Sequence, residues 1–148
     1  MLPDKVVWIE GDRFWTFLRK GYGRGPTSGS FRLLMASMLA AAVPFAAAGA
    51  TTVVDFSIPP WYLDTAKKIA ALRELPLDYI VLKPSLEICA SRARNRNEGA
   101  IRDYGSLAEL YHEFERIPTT HIVDELLEPT ETAALLAAGL NAGRFRVG

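Results

Sequence analysis

The sequence predicts an α/β protein, and three observations predict it. Short β-branched runs end in an acid, VVWIEGD at Val6–Asp12 and TTVVD at Thr51–Asp55, a pattern of buried strands. Longer segments between them carry apolar residues at helical spacing. Glycine- and proline-rich stretches separate the two kinds of segment. Strands that alternate with helices imply a parallel sheet covered on both faces, because each crossover lays a helix on the sheet. The 148 residues are enough for one domain, 1–148, with its own core.

The elements follow in order. Val6–Ile9 is the first strand, and Asp12–Lys20, with Phe14, Trp15, Phe17 and Leu18, is a short helix or turn. GYGRGPTSGS, Gly21–Ser30, is a loop by composition. From Leu33 to Val54 no residue is charged, a length that could span a bilayer. Alanine dominates this run, Pro44 and Gly49 interrupt it, and TTVVD closes it as a strand. It therefore reads as a small-residue helix from about Ser30 to Ala48, a turn at Gly49 and a buried strand, not as a membrane anchor. SIPP is a turn, Pro60 suits a first helical turn, and Trp61–Leu75 is helical. DYIVL at Asp78–Leu82 is a strand, and Pro84 suits the start of the next helix. There Leu86, Cys89, Ala90 and Ala93 recur at helical spacing. NRNEGAIRDYG is a polar loop. Ser106 and Glu109 have the spacing of a capping box, ahead of Leu107, Leu110, Tyr111 and Phe114 on one helical face. His121–Asp124 is a fourth strand, Pro129–Leu140 a last helix, and Arg144–Val147 a short strand or a frayed end.

Composition excludes several functions. Apolar residues make up 49% and charged residues 23% of the chain, which argues against disorder. Seventeen basic and seventeen acidic residues cancel, so no overall positive field draws the chain to nucleic acid. A lone cysteine, Cys89, rules out an internal disulfide framework and suits a reducing, cytoplasmic compartment. His112 and His121 are too few and too far apart for a zinc site.

The strand tips carry the chemistry. Ligands of open parallel sheets gather beyond the carboxyl ends of the strands. Asp12, Asp55 and Lys83 fall at or just past such ends, and Arg92, Arg94 and Arg96 crowd the end of a helix.

The order VVWIEGDRFW, small-residue helix, TTVVDFSIPPW, DYIVLKPSLEICASRARNR, LAELYHEF and THIVDELLEPTET resembles the small-molecule kinase branch of the P-loop NTPases. That branch contains chloramphenicol phosphotransferase-like, zeta-toxin-like and gluconate-kinase-like proteins, and the likeness runs from about Lys5 to Arg146. The resemblance implies a three-layer α/β/α fold and phosphoryl transfer from ATP with Mg²⁺ to a hydroxyl of a small-molecule acceptor. It implies Asp12 as the acid that orients and deprotonates the acceptor hydroxyl. An N-cap for the following segment is the competing role, and Glu10 is the substitute. It implies Asp55 as a Mg²⁺ and cofactor ligand on a Walker-B-like strand. Arg92, Arg94 and Arg96 resemble lid arginines: Arg92 and Arg96, one turn apart, would act in transfer, and Arg94 would bind cofactor. Cations that simply suit a helix C-terminus are the alternative for each. Phe14, Trp15 and Trp61 either wall an acceptor pocket or belong to the core.

The strand and phosphate-binding loop G-x-x-x-x-G-K-[ST] that stand ahead of the Gly-Asp strand in those kinases are missing. GYGRGPTSGS does not replace them, because it holds no lysine and lacks the spacing. Without the strand, neighbouring strands would keep unpaired backbone groups. The expectation is a shortened N-terminus. The alternatives are a rearranged sheet, a partner that supplies the strand, or a non-catalytic kinase-like domain whose exposed edge pairs into a homo-oligomer.

Overall fold

The structure is a computed structural model that describes residues 5–22, 29–95, 105–123 and 128–148. It is α/β with parallel strand pairing, as expected. The chain divides into two compact units, one ending at Leu77 and one spanning Asp78–Val147.

In the first unit, β1 (Val6–Glu10) pairs in parallel with β2 (Thr51–Asp55). The connection runs through a 3-10 turn at Gly11–Phe17 and then α1 (Gly29–Ala47). Register fixes which side chains share a face. Trp8 lies opposite Val53, and Ile9 opposite Val54. Ile9 and Val54 turn toward α1 and pack on a core of Phe31, Leu34, Met35, Met38 and Tyr62. Alternation sends Val6, Trp8 and Val53 to the opposite face, where they stay exposed, Trp8 at 62%. The expectation of a sheet covered on both faces therefore fails here: this face of β1 and β2 is open.

Among the described residues α1 is the one helix long and apolar enough to cross a membrane. Phe31, Leu34, Met35, Met38 and Ala42 form a stripe of i, i+3, i+4 and i+7 spacings and face the sheet. Elsewhere on α1 small residues predominate, and Leu33 and Phe45 stay exposed at 47% and 49%. α1 ends as expected at Gly49, whose φ of 82° suits glycine. The Gly49 N–H reaches the Ala46 carbonyl and the Ala50 N–H the Phe45 carbonyl, at 2.9 and 3.1 Å, which makes a Schellman cap.

Beyond β2, Pro60 opens a 3-10 turn (Pro60–Tyr62) that leads into α2 (Leu63–Ala71). The expected helix to Leu75 stops earlier. Glu74 adopts φ 53°, and the N–H groups of Glu74 and Leu75 close on the carbonyls of Ala71 and Ala70.

In the second unit, β3 (Val81–Leu82) pairs in parallel with β4 (Ile122–Val123). The expected strand from Asp78 is shorter, because Asp78 bridges antiparallel to Arg146 instead. The ion pair of these side chains, at 3.1 Å, reinforces the bridge. α3 (Leu86–Arg94) starts at a Ser85 cap, whose Oγ accepts from the Ile88 N–H at 3.3 Å; Pro84 stands just outside. α4 (Gly105–Phe114) begins one residue before Ser106, the residue expected to cap it. His121 precedes β4 in a 3-10 turn, and Asp124 lies outside the described residues.

α5 (Pro129–Asn141) opens on a capping box between Glu128 and Glu131, with Pro129 in its first turn. The terminal segment is neither frayed nor a full strand. Phe145 is fully buried against Gly139, and Arg144 donates to the carbonyls of Thr120 and Ile122 at 2.8 and 3.3 Å.

Candidate functional site at the strand tips

Asp55 ends β2, and Glu10 ends β1 directly opposite it. Adjacent strands lie ~4.8 Å apart, so two carboxylates stand side by side at the carboxyl edge. Glu10 is engaged by Arg13 in an ion pair three residues on, which also raises the Arg13 pKa. Asp12 follows two residues past Glu10, inside the 3-10 turn; the N-cap position there is Glu10. The alternative role of Asp12 as cap thus has no counterpart. Asp12 and Asp55 are both exposed, and neither has a side-chain partner among the described residues.

Packing explains why the tip has this shape. A Cβ on Gly11 would lie 2.6 Å from both Met38 Sδ and Phe56 Cδ2. Glycine therefore lets the end of β1 sit directly on α1 and on the residue after Asp55. The first turn of α1 joins the same aromatic layer. The Phe31 ring lies 5.2 Å from Phe56 and 6.3 Å from Trp15. Phe14 and Trp15 are half-buried against this core. The core reading therefore holds for both, while Trp61 is 37% exposed.

The arginines belong to the second unit. Arg92 and Arg94 occupy the last turn of α3, exposed on either side of buried Ala93. Arg96 lies outside the described residues. Lys83, just past β3, is held by its own neighbours. Its Nζ lies 3.5 Å from Glu115 Oε1 and 5.6 Å from the Tyr111 ring. The His112 hydrogen bond and the Lys83 charge hold the Glu115 carboxyl below its ordinary value. The Tyr111 hydroxyl donates to the Pro84 carbonyl at 2.9 Å and meets Cys89 Sγ at 3.1 Å. Cys89 is half-buried on the apolar face of α3, as expected for a packed thiol. His121 is buried, with Nδ1 3.0 Å from the Tyr79 carbonyl. Tyr79 is buried as well, and burial pushes its hydroxyl pKa well up.

No cluster of three or more His, Cys, Asp or Glu stands ready for a metal among the described residues. The sequence matches no family model and no curated protein. The chemistry of the strand tips therefore rests on their own geometry.

That geometry also contains a residue the sequence reading passed over. Arg32 is the only charged residue between Gly25 and Val54. Its guanidinium lies 4.2 Å above the Trp61 ring. A single charge in so long an uncharged run was the signal available.

Proposed function

We propose that this chain is part of an ATP-dependent phosphotransferase of the P-loop kinase type that transfers a phosphoryl group to a hydroxyl of a small molecule. One observation carries the reading. The parallel register sets Glu10 beside Asp55, with Asp12 two residues beyond, at the carboxyl ends of adjacent strands. Ligand chemistry collects at such ends in parallel sheets. The three-layer kinase sheet belongs to the same proposal.

The donor set fits Mg²⁺, which takes one or two carboxylates and keeps much of its water. Asp55 would hold the ion, with Glu10 next to it. Asp12 would orient the acceptor hydroxyl and take its proton. Arg92, Arg94 and Arg96 would meet phosphate oxygens through their forked donors. The 148 residues contain no G-x-x-x-x-G-K-[ST] loop, so they do not fit ATP by themselves. No step on the nucleotide is assigned to them, and the phosphate cradle would come from another segment or a partner.

Phosphoryl transfer to a panel of hydroxyl acceptors, with MgATP and the protein from its native source, tests the reading. Asp12→Asn should lower turnover by about 10²–10⁴-fold and leave the fold intact. Asp55→Asn should shift the Mg²⁺ requirement to higher concentration. Unchanged transfer in both variants would remove the strand tips from the chemistry.

The open face of Val6, Trp8 and Val53 favours a second reading: a non-catalytic kinase-like domain that works through a partner. A folded chain without saturable MgATP binding would select it.

A further inference from the structure

Arg32, in the first turn of α1, has its guanidinium 4.2 Å above the Trp61 ring and is exposed. It forms no ion pair among the described residues. Stacking spends the flat face of the guanidinium and leaves its edge of N–H donors available. Tyr62 is the next residue, its ring set edge-on to Trp61 at 6.1 Å. Tyr62 is 4% exposed, and its hydroxyl is buried with no hydrogen-bond partner among the described residues. Buried hydroxyls almost always have a partner, so an orphan one calls for an explanation. The Arg32 charge acts on this hydroxyl and partly offsets the rise in pKa that burial causes.

A cation fixed by stacking on Trp61 and an orphan hydroxyl on the residue after Trp61 share one chemical need. Both are satisfied by an oxygen carrying negative charge. We propose that Arg32 and Tyr62, with Trp61 as their platform, bind an oxyanion group, carboxylate or phosphate, of a small molecule. If the phosphotransferase reading holds, this group sits on the acceptor, and the enzyme selects acidic or already phosphorylated hydroxyl compounds. The identity of the bearer rests on that reading; the anion site itself does not.

The test therefore omits ATP. The full chain is titrated by calorimetry with inorganic phosphate and, separately, with acetate, at constant ionic strength. Saturable binding of at least one anion is expected. A preference for phosphate would point to a phosphorylated acceptor, and a preference for acetate to a carboxylic acid. Arg32→Gln should weaken that binding about tenfold or more. Arg32→Lys, which keeps the charge but loses the fork, should recover only part of it. Tyr62→Phe should also weaken binding, yet raise the melting temperature of the free protein, because it removes an unsatisfied buried hydroxyl. Saturation by neither anion would overturn the proposal. So would equal affinity in Arg32→Gln, or a Tyr62→Phe protein that melts higher and binds unchanged. Loss of phosphoryl transfer from MgATP with anion binding intact would instead refute only the kinase reading.

Discussion

A methyl group has no room at Gly11. Its Cβ would meet Met38 Sδ and Phe56 Cδ2 at 2.6 Å and Phe56 Cβ at 2.7 Å. All three atoms lie in the packed layer between the sheet and α1, so relief would have to come from the core. Gly11→Ala should cost about 1–3 kcal/mol by overpacking, read as a lower denaturant midpoint with an unchanged slope. It should also displace Asp12, the next residue. The Gly-Asp pair was legible in the sequence, but the reason for its glycine was not: the contacts come from positions 27 and 45 residues away. Arg32 was legible only as an isolated charge. Its partner Trp61 stands 29 residues on, and no local spacing reveals a stacked pair.

At the scale of elements, three helices end in the same way. α1, α2 and α5 each place a residue at positive φ: Gly49, Glu74 and Gly143. Each then closes two backbone bonds onto the last turn. Two of the three are glycine, which adopts this conformation at no steric cost. Glu74 is the exception, and its Cβ is strained there. Glu74→Gly should therefore stabilise the protein by about 0.5–1.5 kcal/mol, seen as a higher midpoint in urea. A stabilisation of zero or less would show that the glutamate side chain contributes something the backbone does not. This exception also explains why α2 was read too long: nothing in Leu72–Leu75 announces a stop. β2 was legible to the residue and α1 within one residue at each end, because β-branched runs and Gly49 are local signals. Ser85 was missed because Pro84 invited an earlier helix start. β3 was overread because Asp78 takes its partner from Arg146, a pairing 68 residues apart that local pattern cannot show.

At the scale of the molecule, the expectation of parallel strands crossed by helices held, as two short parallel pairs, β1–β2 and β3–β4. Strand direction was legible because each crossover contains a helix. Coverage was not legible: VVWI reads as a strand buried on both faces, yet Trp8 is 62% exposed. The candidate site divides in the same way. Asp12 and Asp55 were found because they end strands, while the arginines were found by composition and belong to the second unit.

The open face of β1 and β2 has an optical consequence. The three tryptophans of the chain differ in their access to water, with Trp8 the most exposed, Trp61 at 37% and Trp15 half-buried in the core layer. Trp8 should dominate the red side of the emission spectrum and be quenched first by acrylamide. Trp8→Phe should remove that component and shift the remaining emission to the blue; an unchanged spectrum would mean that Trp8 is covered in solution. The protein thus carries its own gauge for whatever seats on that face. A strand, a helix or a second copy that covers Val6, Trp8 and Val53 would silence the red component without any added label.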